Sequence, residues 1–161
     1  MIELETDRLI INEFNVADKL DWAKIDCNEN VRKYLPGNWS KTDSEIYLDN
    51  VIGSYQKNGF GRYAVRCKLN YQLIGMCGFL LEEYGIDFGY RFTPSYWGTG
   101  IGYEAAKKVL TYGRVYLKLS PIYALTHERN YASLKIIEKL NFRFVERLNI
   151  YQQEVLKYVI Y

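Results

Sequence analysis

Residues 96–102 read Tyr96-Trp97-Gly98-Thr99-Gly100-Ile101-Gly102, and glycine at every second position constrains the fold more than any other segment of the chain. A strand-like run ends just before it, near Phe92, and a helical pattern begins at about Ile101. Glycines let the backbone turn its N–H groups toward one point, and a helix start adds unpaired amides and the positive end of a dipole. The macrodipole contributes roughly 0.3–1 kcal/mol, whereas each hydrogen bond to a charged oxygen contributes about 1.5–3 kcal/mol. Converging amides therefore dominate, and the segment reads as a main-chain anion site between a strand and a helix. A tight strand-to-helix turn without ligand is the plain structural alternative.

The motif also excludes. It lacks the Gly-Lys-Ser/Thr end of a P-loop, so nothing is placed to hold Mg²⁺ beside a γ-phosphate. A dinucleotide fingerprint needs G-x-G-x-x-G and an acid about 20 residues on; here the spacing is G-x-G-x-G, Tyr103 follows, and Ile122 stands where the acid belongs.

With its flanks, Pro94-Ser95-Tyr96-Trp97-Gly98-Thr99-Gly100 resembles the pyrophosphate loop of the Gcn5-related N-acetyltransferase (GNAT) superfamily, in the branch of the ribosomal-protein N-terminal acetyltransferases (RimJ/RimL-like). Gly100 and Gly102 match the last two anchors of the family signature, while Trp97 stands where the wider superfamily has Gln or Arg. A second block, Asn130-Tyr131-Ala132-Ser133 through Glu138-Lys139-Leu140-Asn141-Phe142, resembles the family's Asn-x-x-Ser helix and Lys-Leu-Gly-Phe turn. Thr6-Asp7-Arg8-Leu9 resembles its usual first strand. The likeness spans about residues 5 to 147. It implies an α/β (α+β) fold with a mixed, mostly antiparallel central sheet flanked by helices.

Composition agrees with one domain over residues 1–161, a chain long enough to bury roughly 68–70% of its unfolded surface. A formal net charge of +2, with basic residues scattered, gives no footprint for nucleic acid. No apolar run approaches the ~18 residues of a membrane span, and the acidic start lacks the form of a signal peptide, so a cytoplasmic protein is expected. Cys27, Cys67 and Cys77 lack C-x-x-C spacing and read as free thiols, with no metal site. A two-residue turn at Asn70-Tyr71 would set Cys67 opposite Ile74.

In chain order, Leu4–Ile11 reads as a strand and Val16–Asp26 as a helix with Val16, Leu20, Ala23 and Cys27 on one side. Pro36-Gly37 marks a loop. Thr42-Asp43-Ser44-Glu45 opens a second helix with Ile46, Leu48, Val51, Ile52 and Tyr55 as apolar candidates. Gly61–Leu69, Gln72–Leu81 and Gly85–Phe92 read as a three-strand meander. The helix from Ile101 carries an inward stripe of Ala105, Ala106, Val109, Leu110 and Tyr112. Ile122–Thr126 is a strand, and a helix runs from Asn130 or Tyr131 to Leu140 with Leu134, Ile137 and Leu140 inward. Asn141 replaces the family's Gly in the left-handed cap. Phe142–Glu146 and Gln153–Ile160 complete the strands.

By resemblance, acetyl-CoA lies between the third meander strand and the strand at Ile122, its pyrophosphate on the amides of Trp97, Gly98, Thr99, Gly100, Ile101, Gly102 and Tyr103. The family's strand bulge would fall in Gly89–Phe92, so that an amide of Tyr90, Arg91 or Phe92 meets the thioester oxygen by oxyanion-hole logic. Asn130 would contact the pantetheine arm, cap the helix, or both. Ser133 is the candidate donor to the departing thiolate; the Tyr that many members carry seven residues after the Asn is Ile137 here. Candidate bases are Glu82, Glu83, Asp87 and His127, against readings as a solvated turn for the glutamates and a loop contact for His127. Arg129 and Lys135 would meet the 3′-phosphate or stay solvated.

The resemblance implies direct acetyl transfer from acetyl-CoA to a primary amine in a ternary complex, without a metal. A protein N-terminal α-amine is the favoured acceptor, and a homodimer is left open. Alternatives are acetylation of a small-molecule amine such as a polyamine or aminoglycoside, a non-catalytic acyl-CoA sensor, or a nucleotide-binding module. The two early helices would border the acceptor, but neither carries a decisive residue.

Overall fold

In the computed structural model, which describes residues 2–150 and 152–161 and so leaves Met1 and Tyr151 of the expected domain outside the description, an eight-stranded sheet runs in the order β1-β2-β3-β4-β5-β6-β8-β7. Its strands are β1 (Glu3–Glu5), β2 (Leu9–Glu13), β3 (Arg62–Cys67), β4 (Leu73–Glu82), β5 (Gly85–Phe92), β6 (Ile122–His127), β7 (Arg143–Ile150) and β8 (Gln153–Ile160). The helices are α1 (Lys19–Asp26), α2 (Glu29–Arg32), α3 (Lys41–Asn58), α4 (Ile101–Val115) and α5 (Tyr131–Lys139). Every neighbouring pair is antiparallel except β5 and β6. The mixed, mostly antiparallel sheet is thus as expected.

Strand alternation sends side chains to two faces, each with its own core. On one face Phe79, Phe88, Phe92 and Ile122 pack with Ala105, Ala106 and Val109 of α4 and Ile137 of α5. On the other, Ala64, Leu73 and Met76 pack with Trp22 and Ile25 of α1 and Leu48 and Val51 of α3. β5 feeds both: Phe88, Tyr90 and Phe92 point toward α4 and α5, whereas Asp87, Gly89 and Arg91 point toward the α1–α3 layer.

Several elements differ from the sequence reading. The expected strand Leu4–Ile11 is two strands folded back on each other, with Leu4 opposite Ile11. The Thr6 hydroxyl accepts from Leu9 N at 3.0 Å and holds the turn between them. The first helix is rotated from the expected phase: Val16 and Leu20 are 64% and 58% exposed, and Trp22 and Ile25 enter the core. A 3₁₀ turn at Val16–Asp18 precedes α1, so the α-helical period starts only at Lys19. In α3 the cap is Ser40, paired with Asp43 in a capping box, and Ile46 faces solvent. The β3–β4 connection, residues 68–72, is a five-residue loop in which Cys67 N donates to Gln72 O at 2.9 Å, so Cys67 does not face Ile74; all three cysteines are free. Asn141 takes φ 62, the left-handed cap expected of it.

Among the described residues no helix is long and apolar enough to cross a membrane, and no group of three His, Cys, Asp or Glu side chains is close enough to hold a metal ion.

Candidate active site

β5 and β6 pair only at Ile86–Ile122 and Asp87–Tyr123. Beyond Asp87 they part, and the β6-facing edge of β5 leaves its ladder while its β4 edge stays paired in unbroken register from Gly75–Phe92 to Glu82–Gly85. The bulge expected within Gly89–Phe92 is therefore absent. With the two strands diverging, main-chain donors on that edge of β5 face a gap rather than a neighbouring strand. The gap opens a cavity of about 210 Å³, lined among others by Tyr34, Asp87, Tyr90, Arg91, His127 and Ser133.

At the end of β5 the glycine segment closes over α4. Gly98 and Gly100 have φ 74 and 83, left-handed values where an L side chain costs about 1–2 kcal/mol. Gly100 is the N-cap and offers no side chain, so the amides at the start of α4 have no side-chain partner. Trp97 Nε1 donates to Phe92 O at 2.8 Å, and Thr99 Oγ1 donates to Tyr96 O at 2.6 Å. Arg8 Nη1 reaches Thr99 O at 2.9 Å, while Arg8 Nε and Thr6 Oγ1 donate to the Glu104 carboxylate at 2.7 and 2.5 Å. Burial alone would raise the Glu104 pKa, but these donors hold it below the usual carboxylate range. The Thr6-Arg8 turn, read from sequence as strand, is thus a brace for the anion loop. These features fit a diphosphate: open amides, two glycines that an L residue would strain, and a loop locked from behind.

Across the cavity, Asn130 caps α5 by accepting from Ser133 N at 3.2 Å through Oδ1, and it also lines the gap. The Tyr90 hydroxyl lies 3.0 Å from Ser133 Oγ and 3.1 Å from Ser133 O. Burial pushes the Tyr90 phenol above its ordinary value, so it keeps its proton at neutral pH. Ile137, at the position of the family's tyrosine, is fully buried in the core. Sequence reading placed Tyr90 at the cofactor through its amide; the structure adds a hydroxyl beside Ser133 on the side where Ile137 offers none.

The candidate bases separate. Glu83 is exposed in the β4–β5 turn and does not line the cavity. Glu82 is at the same turn, its carboxyl pushed upward by partial desolvation and by the Asp87 charge. Asp87 lines the cavity, but its carboxylate is bound by Arg62, which lies beneath Gly89 and also donates to Gly78 O. A Cβ on Gly89 would come within 2.8 Å of that guanidinium, so a side chain there would have to displace the Arg62–Asp87 pair. Burial would lower the Arg62 pKa, yet Asp87 holds it above its ordinary value. His127 lines the cavity and packs on Tyr34 with ring centroids 5.3 Å apart. Its Nδ1 accepts from Arg129 N at 3.1 Å, which puts the proton of the neutral ring on Nε2 and makes that atom a donor. Arg129 and Lys135 are exposed.

Sequence reading missed Asp26, Arg32, Arg62 and Tyr34. Arg91 was read for its amide alone. Asp26 is fully buried and accepts from Arg32 Nη1 at 3.2 Å and Arg91 Nη1 at 2.5 Å. Arg32 also donates to Pro36 O and Gly37 O at 2.9 and 3.2 Å, which pins the loop whose glycine, at φ 72, was legible in advance.

This geometry has counterparts. The N-acetyltransferase p20 of Bacillus licheniformis, itself uncharacterized, is 32% identical over 158 residues, covering 95% of this chain and 89% of that protein. A putative GnaT-family acetyltransferase from Bordetella pertussis superposes with a TM-score of 0.87 at 19% identity over 100% of both chains. RimL, a ribosomal L7/L12 alpha-N-protein acetyltransferase solved in complex with coenzyme A, superposes with a TM-score of 0.84 at 14% identity, covering 99% of this chain and 97% of that one. A family model described as an acetyltransferase (GNAT) domain matches residues 8–143, spanning the Arg8 brace, the glycine loop and the Asn130–Ser133 cap, and with it the chain belongs to the GNAT family of acyl-CoA-dependent N-acetyltransferases.

Proposed function

We propose that the acceptor is a protein N-terminal α-amine, acetylated directly from acetyl-CoA. One observation carries this reading: among the described residues, the candidate bases that line the cavity, Asp87 and His127, are both already engaged. Asp87 is paired through Oδ2 with Arg62, and the Nδ1 of His127 accepts from the Arg129 amide. An amine must be neutral to attack a thioester. At pH 7 that costs about 4.6 kcal/mol for a lysine-type amine of pKa ≈ 10.4 but only about 1.4 kcal/mol for an α-amine of pKa ≈ 8. A site whose candidate bases are engaged therefore suits the α-amine, and the shared fold of RimL, which acts on such a group, is consistent with it. Among the described residues Asp87 is the one carboxylate that lines the cavity, and it is paired with Arg62, whereas a polyamine would need several free ones.

In this reading the amides of Gly98 through Tyr103 hold the diphosphate, and Asn130 Nδ2 donates to the pantetheine arm. The β5 edge at Gly89–Phe92 donates to the acetyl carbonyl oxygen as negative charge develops there. His127 Nε2–H and Tyr34 border the approach of the amine. The new C–N bond forms as the C–S bond breaks, and the amine releases one proton to water. Ser133 gives its hydroxyl proton to the departing sulfur, and Tyr90, then solvent, restores it. Holding amine and thioester in attack range supplies the larger share of the rate.

Release of coenzyme A at pH 7 should be at least about 10²-fold faster with an alanine-initiated peptide than with spermidine or an N-acetylated lysine amide, given the difference of about 3 kcal/mol in deprotonation. Equal rates, or preference for spermidine, would overturn the α-amine assignment. Ser133→Ala should lower kcat about 10²-fold and leave the calorimetric affinity for coenzyme A within about twofold, less than half of one 1.4 kcal/mol decade. An unchanged kcat would remove Ser133 from the proton path.

A further inference from the structure

Arg91 stands on the acceptor side of β5, facing away from Tyr90 and the α5 layer. Its side chain is 17% exposed and lines the cavity. Its hydrogen bond, from Nη1, goes to Asp26 Oδ1, an atom already engaged by Arg32. Among the described residues, Arg91 Nε and Nη2 have no hydrogen-bond partner.

The charges around it do not cancel. Asp26 contributes −1 and the two guanidiniums +2, so the cluster carries a net +1. Arg32 cannot serve a ligand: its side chain is 7% exposed and its nitrogens are bound to Asp26 and to the carbonyls of Pro36 and Gly37. Among the described residues, neighbouring elements bring no compensation. The Arg62–Asp87 pair from β3 and β5 is neutral, His127 on β6 is neutral when its Nδ1 accepts, and Asp43 at the start of α3 is exposed and bound to Ser40. Tyr47 offers Arg91 only its ring face, 5.4 Å away. A half-buried guanidinium with two donors unused is an expensive arrangement unless an anion completes it, and a planar fork of N–H groups matches a carboxylate.

We propose that Arg91 is the core of a carboxylate subsite, so that the acceptor is an α-amine accompanied by a nearby carboxylate. This rests on the α-amine reading above and narrows it. The carboxylate comes either from an acidic side chain in the first positions of a polypeptide or from the free C-terminus of a very short peptide. Cationic acceptors are rejected by the same charge.

The test measures kcat/KM for matched α-amines with the wild-type protein: Ala-Asp-Ala-Ala-amide, Ala-Ala-Asp-Ala-amide, Ala-Asn-Ala-Ala-amide, Ala-Lys-Ala-Ala-amide and Ala-Asn with a free C-terminus. At least one carboxylate-bearing peptide should exceed the Asn-containing amide by about tenfold or more, mainly through KM. The Lys peptide should be the poorest, and the gap should narrow as salt is raised. Which peptide leads identifies the source of the carboxylate. Arg91→Gln should bring the Asp-to-Asn ratio to near one and Arg91→Lys should restore part of it; each ratio is internal to its variant, so partial misfolding leaves it readable. Equal kcat/KM across the wild-type panel overturns the subsite and leaves the α-amine reading standing. No release from any peptide, in a protein that binds acetyl-CoA by calorimetry, overturns both.

Discussion

Gly100→Asp should abolish measurable binding of coenzyme A, reducing affinity by about 10²–10⁴-fold, the equivalent of two charged hydrogen bonds at about 1.5–3 kcal/mol each. Two effects add. At φ 83 an L residue strains the backbone that aims the amides. The new carboxylate would also bring a negative charge to the N-cap of α4, where it competes with the bound anion for the amides. Gly100→Asn separates them: it has nearly the same shape and tolerates the left-handed region, but brings no charge. It should lose far less affinity than the aspartate. Calorimetry with coenzyme A reads both variants, and equal losses would assign the effect to strain rather than to anion competition.

The second large effect concerns stability. Asp87→Ala should destabilise the protein by about 3–5 kcal/mol, the range for removing one partner of a buried ion pair. Arg62 and Asp87 side chains are 7% and 12% exposed, so solvent screens them little. Without the carboxylate, Arg62 keeps its charge beneath Gly89 with Gly78 O and Asp87 O as acceptors, and its Nε is already unpartnered. At about 2–4 °C per kcal/mol for a chain of this size, thermal unfolding should fall by about 6–20 °C. Replacing both residues, Arg62→Met with Asp87→Leu, should recover much of the loss, because two apolar groups leave no stranded charge. A shift under about 2 °C for Asp87→Ala would show that water reaches Arg62 and that the floor of the cavity is wetter than its burial indicates.

What could be read from the sequence was the part fixed by local chemistry. The bounds of β5 and β8, the start of α4 at Ile101 and the left-handed cap at Asn141 follow from alternation, helical period and turn preference, all of which act over a few residues. The turn at Gly98–Gly100 was legible for the same reason. The first hairpin was not, because Thr6 and Arg8 turn the chain by contacts that include Glu104, 98 and 96 positions away. The phase of α1 was obscured by its length: eight residues hold only two turns, and Trp22 fills the core where the small pattern favoured Leu20. Buried charges are the hardest case. Asp26, Arg62, Asp87 and Arg91 resemble surface residues in one dimension, and the contacts that reveal them join positions 25 and 65 apart. Consequently the glycine loop was visible in advance, while the charged cluster on the opposite face of β5 emerged only from the Asp26 and Arg32 contacts brought to Arg91 by α1 and α2.

The central claim is that main-chain amides from Gly98 to Tyr103 hold the diphosphate of acetyl-CoA at the head of α4. A crystal structure with coenzyme A tests it most directly. Diphosphate oxygens about 2.7–3.2 Å from several of those nitrogens, with the pantetheine arm entering the gap between β5 and β6, are the predicted result. A diphosphate seated elsewhere, or held by side chains while these amides bond only water, would contradict it.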